Sequence, residues 1–359
     1  MKNSFSLSGR LTPIQWTFVA LVSLGIYLIL HSSFREPEFW PFPFGIGQVH
    51  GERAEMMMKA RSEAFHNADL IILGSSTIRN ALVNDRDLSN GLSAGLSSGS
   101  SPDRKKPFQV LKLTASALTL MESLFVLRNS DIQENQQFII CLTPKSFARE
   151  PERSIYSLIS GQFLIPADDF VIQIAPDLGV KRKPKHPAVL KVKHFISSNR
   201  IGTARWFARL HTWLLVNLYR LKPEIVVPLT DRPPSPAALS RYVEIHQEIM
   251  RNGYFKEADG GVYLLEELIK TIQGNKARAV LLEYPLRAAD NADARWRADY
   301  QNRVDNICAR YNVPYYNIND QANLLVEDFI DRLHVTSKGR EKWSNFFISW
   351  YIKNRIYDQ

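Results

Sequence analysis

Five short apolar runs, set off from one another by helical or loop-forming sequence, constrain what this chain can fold into more than any other feature. They are Asp69–Leu73, Gln109–Leu113, Gln137–Leu142, Ala277–Glu283 and Val313–Ile318. Each has the length of a buried strand and falls short of an ordinary buried helix. Helical patterns surround them. Glu52–His66 precedes the first, and a stretch beginning near Ala115 carries Leu118, Met121, Leu124 and Phe125. Gly261–Gln273, Ala292–Tyr311 and Ser337–Ile352 follow. Strands joined by helical crossovers run parallel, and a parallel sheet needs helices over both faces. The expected class is α/β with a mostly parallel central sheet. Pro144 ends the third run because proline disfavours regular continuation of the residues before it. The Ser-, Gly-, Asn- and Pro-rich segment Leu88–Lys106 predicts a surface loop. Residues from Ser146 to about Pro236 interrupt the alternation, and no internal repeat is visible.

Ahead of this pattern, Ile14–Leu30 is uncharged and almost wholly apolar. At about 1.5 Å per residue it is just long enough to cross a hydrocarbon core with little tilt. Lys2 and Arg10 precede it, while Arg35, Glu36 and Glu38 follow. That asymmetry favours a single-pass anchor in the cytoplasmic membrane, with the amino terminus inside and the main domain outside, periplasmic or extracellular. A cleaved signal peptide and a buried soluble helix are the competing readings, although His31-Ser32-Ser33-Phe34 offers no small-x-small cleavage pattern. Pro41–Gly47 then reads as an extended juxtamembrane linker. Beyond it remain roughly 300 residues, enough for one large α/β domain with insertions or two smaller ones.

An apolar fraction of 45% supports a real core, and two cysteines, Cys141 and Cys308, are too few for a disulfide scaffold. Both lie in or beside apolar segments and read as free thiols. The net charge of +9 is concentrated, since no acidic residue occurs between Asp177 and Glu224. Residues 181–222 instead interleave lysines and arginines with the apolar stretch Trp206–Arg220. Such a segment suits contact with anionic lipid or polymer. Equally, its aromatics can pack on the domain while its lysines face solvent. Nucleic acid is not an expected partner for a surface outside the cytoplasm. His186, His194 and His211 have no convergent acidic or cysteine partners, so no metal site is expected, and no cofactor.

Two polar motifs frame the pattern. Leu73-Gly74-Ser75-Ser76-Thr77 follows the first strand, where Gly74 is expected to make a tight turn and leave Ser75 or Ser76 at the carboxyl end of the sheet. Asp331-Arg332-Leu333-His334 lies before the last helix. A turn there can set the aspartate against one imidazole nitrogen while the other faces a serine hydroxyl. Helix capping is the competing role for each motif. Neither GxxxxGK[ST] nor GxGxxG is present, which removes the common phosphate and dinucleotide loops.

Together these residues resemble the SGNH/GDSL hydrolase superfamily, particularly its membrane-anchored branch of DltD-like D-alanyl transfer proteins and polysaccharide O-acetyltransfer proteins. The likeness spans roughly residues 67–352. Ser76 matches the family nucleophile, and Ser75 stands where the common Gly-Asp-Ser form has aspartate. Asp331-Arg332-Leu333-His334-Val335-Thr336-Ser337-Lys338-Gly339 resembles the final Asp-x-x-His block. Two middle blocks depart from the pattern. Leu113-Thr114-Ala115-Ser116-Ala117 lacks the oxyanion glycine, and Leu142-Thr143-Pro144-Lys145-Ser146 lacks the asparagine.

The resemblance implies a three-layer flavodoxin-like SGNH domain at residues 67–352, with a basic insertion at about 147–236. Residues 1–13 would form a short cytoplasmic tail, 14–30 the anchor, 31–66 a juxtamembrane linker and helix, and 353–359 a tail. It further implies a Ser76–His334–Asp331 acyl-enzyme mechanism. Donors at Thr114, Ser116 or Thr143 would replace the usual oxyanion hole. Arg79, Asn80, Lys145 and Arg287 are candidate substrate contacts, with a structural role for Arg79 and Asn80 the competing reading. The implied activity is O-acyl transfer or esterase action on a cell-surface polysaccharide or other glycopolymer. A multispan membrane acyltransferase would be the partner, supplying the acyl donor to a carbohydrate acceptor. The alternative from a different class is a non-catalytic scaffold or glycopolymer-binding protein of the same fold.

Overall fold

Alternate residues along each apolar run must face opposite ways, and here both sets are buried. Strands β1 (Leu70–Ser75), β2 (Val110–Ala115) and β3 (Gln137–Leu142) are buried at every position. With β4 (Arg278–Glu283) and β5 (Tyr315–Tyr316) they form one sheet in the order β2-β1-β3-β4-β5, every pairing parallel. The computed structural model describes residues 48–99, 106–148, 151–159, 162–163, 165–174, 186, 188, 190, 236–285, 294–319, 321–331, 333–354 and 356. All belong to one unit spanning Phe44–Ser197 and Val227–Gln359. The class is α/β.

Helices cover both faces. In chain order they are α1 (Gln48–Ala60), α2 (Glu63–His66), α3 (Ser76–Ala81), α4 (Asp85–Gly99), α5 (Leu120–Arg128), α6 (Pro144–Phe147), α7 (Pro151–Ile159), α8 (Asp169–Ile174), α9 (Pro236–Gly274), α10 (Ala294–Tyr311) and α11 (Ser337–Lys353). On one face, Ile71, Leu73, Phe138, Ile140 and Leu281 pack with residues of α1, α5, α7, α9 and α10. On the other, Leu70, Ile72, Ile139, Cys141 and Val280 pack with Ile78 of α3, Leu88 and Leu92 of α4, and Trp343, Phe347 and Tyr351 of α11. At the carboxyl end of β4 the buried Glu283 takes the two terminal guanidinium nitrogens of Arg297 and the Tyr315 hydroxyl, which pins α10 and β5 to the sheet.

The structure corrects several expectations. Leu88–Lys106 is not a loop through its length, because α4 runs to Gly99. A Cβ at Gly91 or Gly95 would stand 2.6 Å from Ile348 Cδ1 or 2.1 Å from Ile352 Cδ1, so the glycines let α11 lie close against α4. Gly74 does not make a turn. It lies inside β1, and an added Cβ would meet Ile78 Cγ2 at 2.4 Å and Cys141 Cβ at 3.1 Å. Its role is steric clearance for α3. The helical pattern near Ala115 starts only at Leu120, capped by Thr119, because Ala117 turns the chain in the left-handed region at φ 54°. The run Val313–Ile318 contributes two residues of strand. Pro314 has no N–H for the ladder, although its carbonyl accepts from Leu281 N.

Among the described residues no helix is long and apolar enough to cross a membrane. Ile14–Leu30 lies outside the described residues, as do residues 191–222 and almost all of 181–190. Cys141 and Cys308 are both free, and burial raises the thiol of each, that of Cys308 to about 11.

Candidate active site

A serine after one strand and a histidine after another meet only if a later element carries the histidine back across the sheet, and α11 does this. It packs against α3 and α4 on a shared face. Arg340 Nε donates to the Asn80 carbonyl at 2.7 Å, and the Ser344 hydroxyl accepts from Val83 N at 2.9 Å. These contacts fix the start of α11 beside α3, whose first residue is Ser76. The Ser76 hydroxyl and His334 Nε2 are 3.0 Å apart, and His334 Nδ1 lies 2.8 Å from Asp331 Oδ2.

The loop that holds the imidazole is tied from several directions. Asp331 Oδ1 accepts from the backbone N–H groups of Leu333 and His334 at 2.7 and 2.8 Å. Phe329 and Val335 form an antiparallel bridge, and Ile330 N donates to the His334 carbonyl at 2.8 Å. Thr336 caps α11 by accepting from Gly339 N, while its own N–H donates to the Asp328 carbonyl at 2.8 Å. Asp328 is buried, and its carboxylate takes the Leu325 N–H and the Lys342 ammonium at 2.8 and 2.9 Å.

Electrostatics set the tautomer. Burial by itself would raise the Asp331 pKa. Hydrogen bonding and charge from His334, with the two backbone N–H groups, outweigh it and hold the carboxyl below the ordinary aspartate range. An ionised carboxylate only accepts, so the neutral imidazole carries its proton on Nδ1. Nε2 is then the acceptor that faces Ser76.

The remaining candidates are distributed unevenly. Thr114 is buried in β2 opposite Gly74, and Thr143 follows β3 with its N–H donated to the Ser146 hydroxyl at 3.1 Å. Neither is hydrogen-bonded to Ser76, His334 or Asp331. Lys145 lies in α6 at the carboxyl end of β3. Asn80 offers its backbone carbonyl to Arg340, and Arg287 lies outside the described residues. Ser116 follows Ala115, the register partner of Ser75, so it stands at the sheet edge one strand from the nucleophile position. Its hydroxyl accepts from Arg79 at 3.2 Å, and its N–H donates to Glu52 Oε2 at 2.6 Å.

Two residues at this edge carry no sequence signal. Glu52 reaches in from α1 and also pairs with Arg79 at 2.8 Å. Tyr284, just past β4, extends its hydroxyl across β3 to accept from Ser75 N at 3.1 Å. A tyrosine after a strand and a glutamate on a helix are ordinary in an α/β chain, and only the tertiary path selects them. No family model matches this chain, and no curated protein matches it.

Proposed function

We propose that this chain is an SGNH-like serine acyl-transfer enzyme, an O-acyltransferase or esterase, with Ser76 as nucleophile, His334 as general base and Asp331 as the carboxylate that orients it. One observation carries this reading. A serine hydroxyl, an imidazole and an ionised carboxylate lie in series at 3.0 and 2.8 Å, at the carboxyl edge of a parallel sheet. The strand order β2-β1-β3-β4-β5 is the flavodoxin-like arrangement, whose crevice opens where β1 adjoins β3, and Ser76 follows β1 directly.

In the proposed reaction His334 Nε2 takes the hydroxyl proton as Ser76 Oγ attacks the acyl carbon. Asp331 stabilises the imidazolium that forms, and Nε2 then returns the proton to the leaving oxygen. A carbohydrate hydroxyl or water next loses its proton to Nε2 as it attacks the acyl-enzyme, and Nε2 passes that proton to Ser76 Oγ as the acyl–oxygen bond breaks, freeing Ser76. The glycopolymer acceptor and the membrane acyl-donor partner follow from the resemblance of the two motifs. Holding such a domain at the membrane by Ile14–Leu30 would keep it near a donor delivered there.

The test uses the full-length protein, p-nitrophenyl acetate and a serine-directed phosphonate probe. Ser76→Ala is expected to abolish labelling and to slow acyl release at least about a thousandfold. Equal labelling and turnover in that variant would refute the assignment. A non-catalytic glycopolymer-binding role has one observation in its favour, the engagement of the Ser116 N–H by Glu52. Absence of labelling in the wild-type protein would select it.

A further inference from the structure

The edge beside Ser76 holds an arrangement that the acyl-transfer chemistry does not use. Glu52 places one carboxylate oxygen 2.8 Å from an Arg79 guanidinium nitrogen and the other 2.6 Å from the Ser116 N–H. A third contact closes the cluster, since the same guanidinium donates to the Ser116 hydroxyl at 3.2 Å. A cation and an N–H on opposite ends of one carboxylate are the complement of that group. The side chains are 17% exposed for Arg79 and 19% for Glu52, so the pair is largely withdrawn from water.

The donors are set by the fold. Arg79 lies three residues beyond Ser76 on α3. Ser116 lies in the turn after β2 that closes with Leu118 N donating to the Ala115 carbonyl and that forces Ala117 to φ 54°, a costly conformation for a residue with a Cβ. Ser75 and Ala115 are register partners about one strand spacing, roughly 4.8 Å, apart, and Ser76 and Ser116 are the residues that follow them. Other residues of α1 besides Glu52 seat the helix. The neighbouring Arg53 makes a two-nitrogen bridge to Glu122 at 2.7 and 2.9 Å, and Met56, Met57 and Ala60 enter the core.

We propose that Arg79 and the Ser116 N–H form a carboxylate-binding site beside Ser76 whose resident occupant is Glu52, and that a carboxylate on the substrate binds there by displacing it. The proposal rests on Ser76 being the nucleophile only for its consequence in turnover, and not for the binding itself.

Two readouts keep these apart. The first is thermal unfolding of the full-length protein in sodium formate, with sodium chloride replaced to hold ionic strength constant. Glu52→Ala is expected to gain several degrees in midpoint with saturation, the wild-type protein to change little, and Glu52→Ala/Arg79→Gln to lose the gain. Glu52→Gln keeps the side-chain volume and serves if the alanine variant does not fold, with the same sign expected. The second readout compares a carboxylate-bearing ester, p-nitrophenyl hemisuccinate, with neutral p-nitrophenyl acetate. Removal of the Glu52 charge is expected to raise kcat/KM for the hemisuccinate relative to the acetate about tenfold. No formate stabilisation in either Glu52 variant overturns the site. Formate stabilisation with an unchanged ester ratio overturns its use by substrate, and the same stabilisation with no Ser76-dependent turnover overturns the acyl-transfer reading alone.

Discussion

At the residue scale the candidate chemistry turns on Asp331, which does two jobs with two oxygens. Oδ1 takes the Leu333 and His334 N–H groups, and Oδ2 faces the imidazole. Asparagine keeps the first function through its carbonyl and loses the second, because its NH₂ cannot accept from Nδ1–H. Asp331→Asn is expected to fold and to slow ester cleavage by about 10³- to 10⁴-fold through the wrong tautomer. Its pH dependence has a definite sign. The folded pKa lies below the unfolded value of about 3.9, so the stabilisation is complete above that value and is lost as pH falls through the folded pKa. The stability gap between wild type and Asp331→Asn, read by urea unfolding, should therefore close on acidification below about pH 4. The sequence pointed to Asp331 and His334 by type and spacing and left Ser75 or Ser76 open, and the family resemblance singled out Ser76; the structure sets Ser76, His334 and Asp331 in series at 3.0 and 2.8 Å. Glu52 was not legible, because nothing near it in the chain records that the amino-terminal turns of α1 lie beside Arg79.

At the element scale, glycine positions separate what the sequence discloses from what packing decides. Alternating apolar runs disclosed the strands, with Gln137–Leu142 appearing at its expected bounds. The Ser- and Gly-rich composition of α4 pointed to a loop, since glycine is a poor helix former. The α11 isoleucines that fill the space over Gly91 and Gly95 are far away in sequence. Gly339 has a comparable constraint with a direct link to the site. A Cβ there would lie 2.2 Å from the Asp328 carbonyl oxygen, the same atom that accepts the Thr336 N–H. Backbone cannot yield as a side-chain tip can. Gly339→Ala is expected to cost about 1–3 kcal/mol in urea unfolding and to lower ester cleavage, by shifting the segment that carries His334.

At the scale of the whole molecule, one face of the sheet is closed by α3, α4 and α11 together, so stability and candidate chemistry share a core. Trp343 is the largest fully buried side chain among the described residues, and its indole N–H has no hydrogen-bond partner among them. Trp343→Ala is expected to cost about 3–5 kcal/mol and to lose esterase activity with it. Trp343→Phe, which removes the unpaired N–H and keeps an aromatic ring, should cost distinctly less, and chemical denaturation of the two variants checks the order. The same architecture has a bearing on biosynthesis. His334 is translated 258 residues after Ser76, which at roughly 5–20 residues per second puts on the order of ten seconds or more between them on the ribosome. On the proposed mechanism the nascent serine lacks its general base, His334, throughout that interval, and its hydroxyl gains that base only when the late-emerging segment docks.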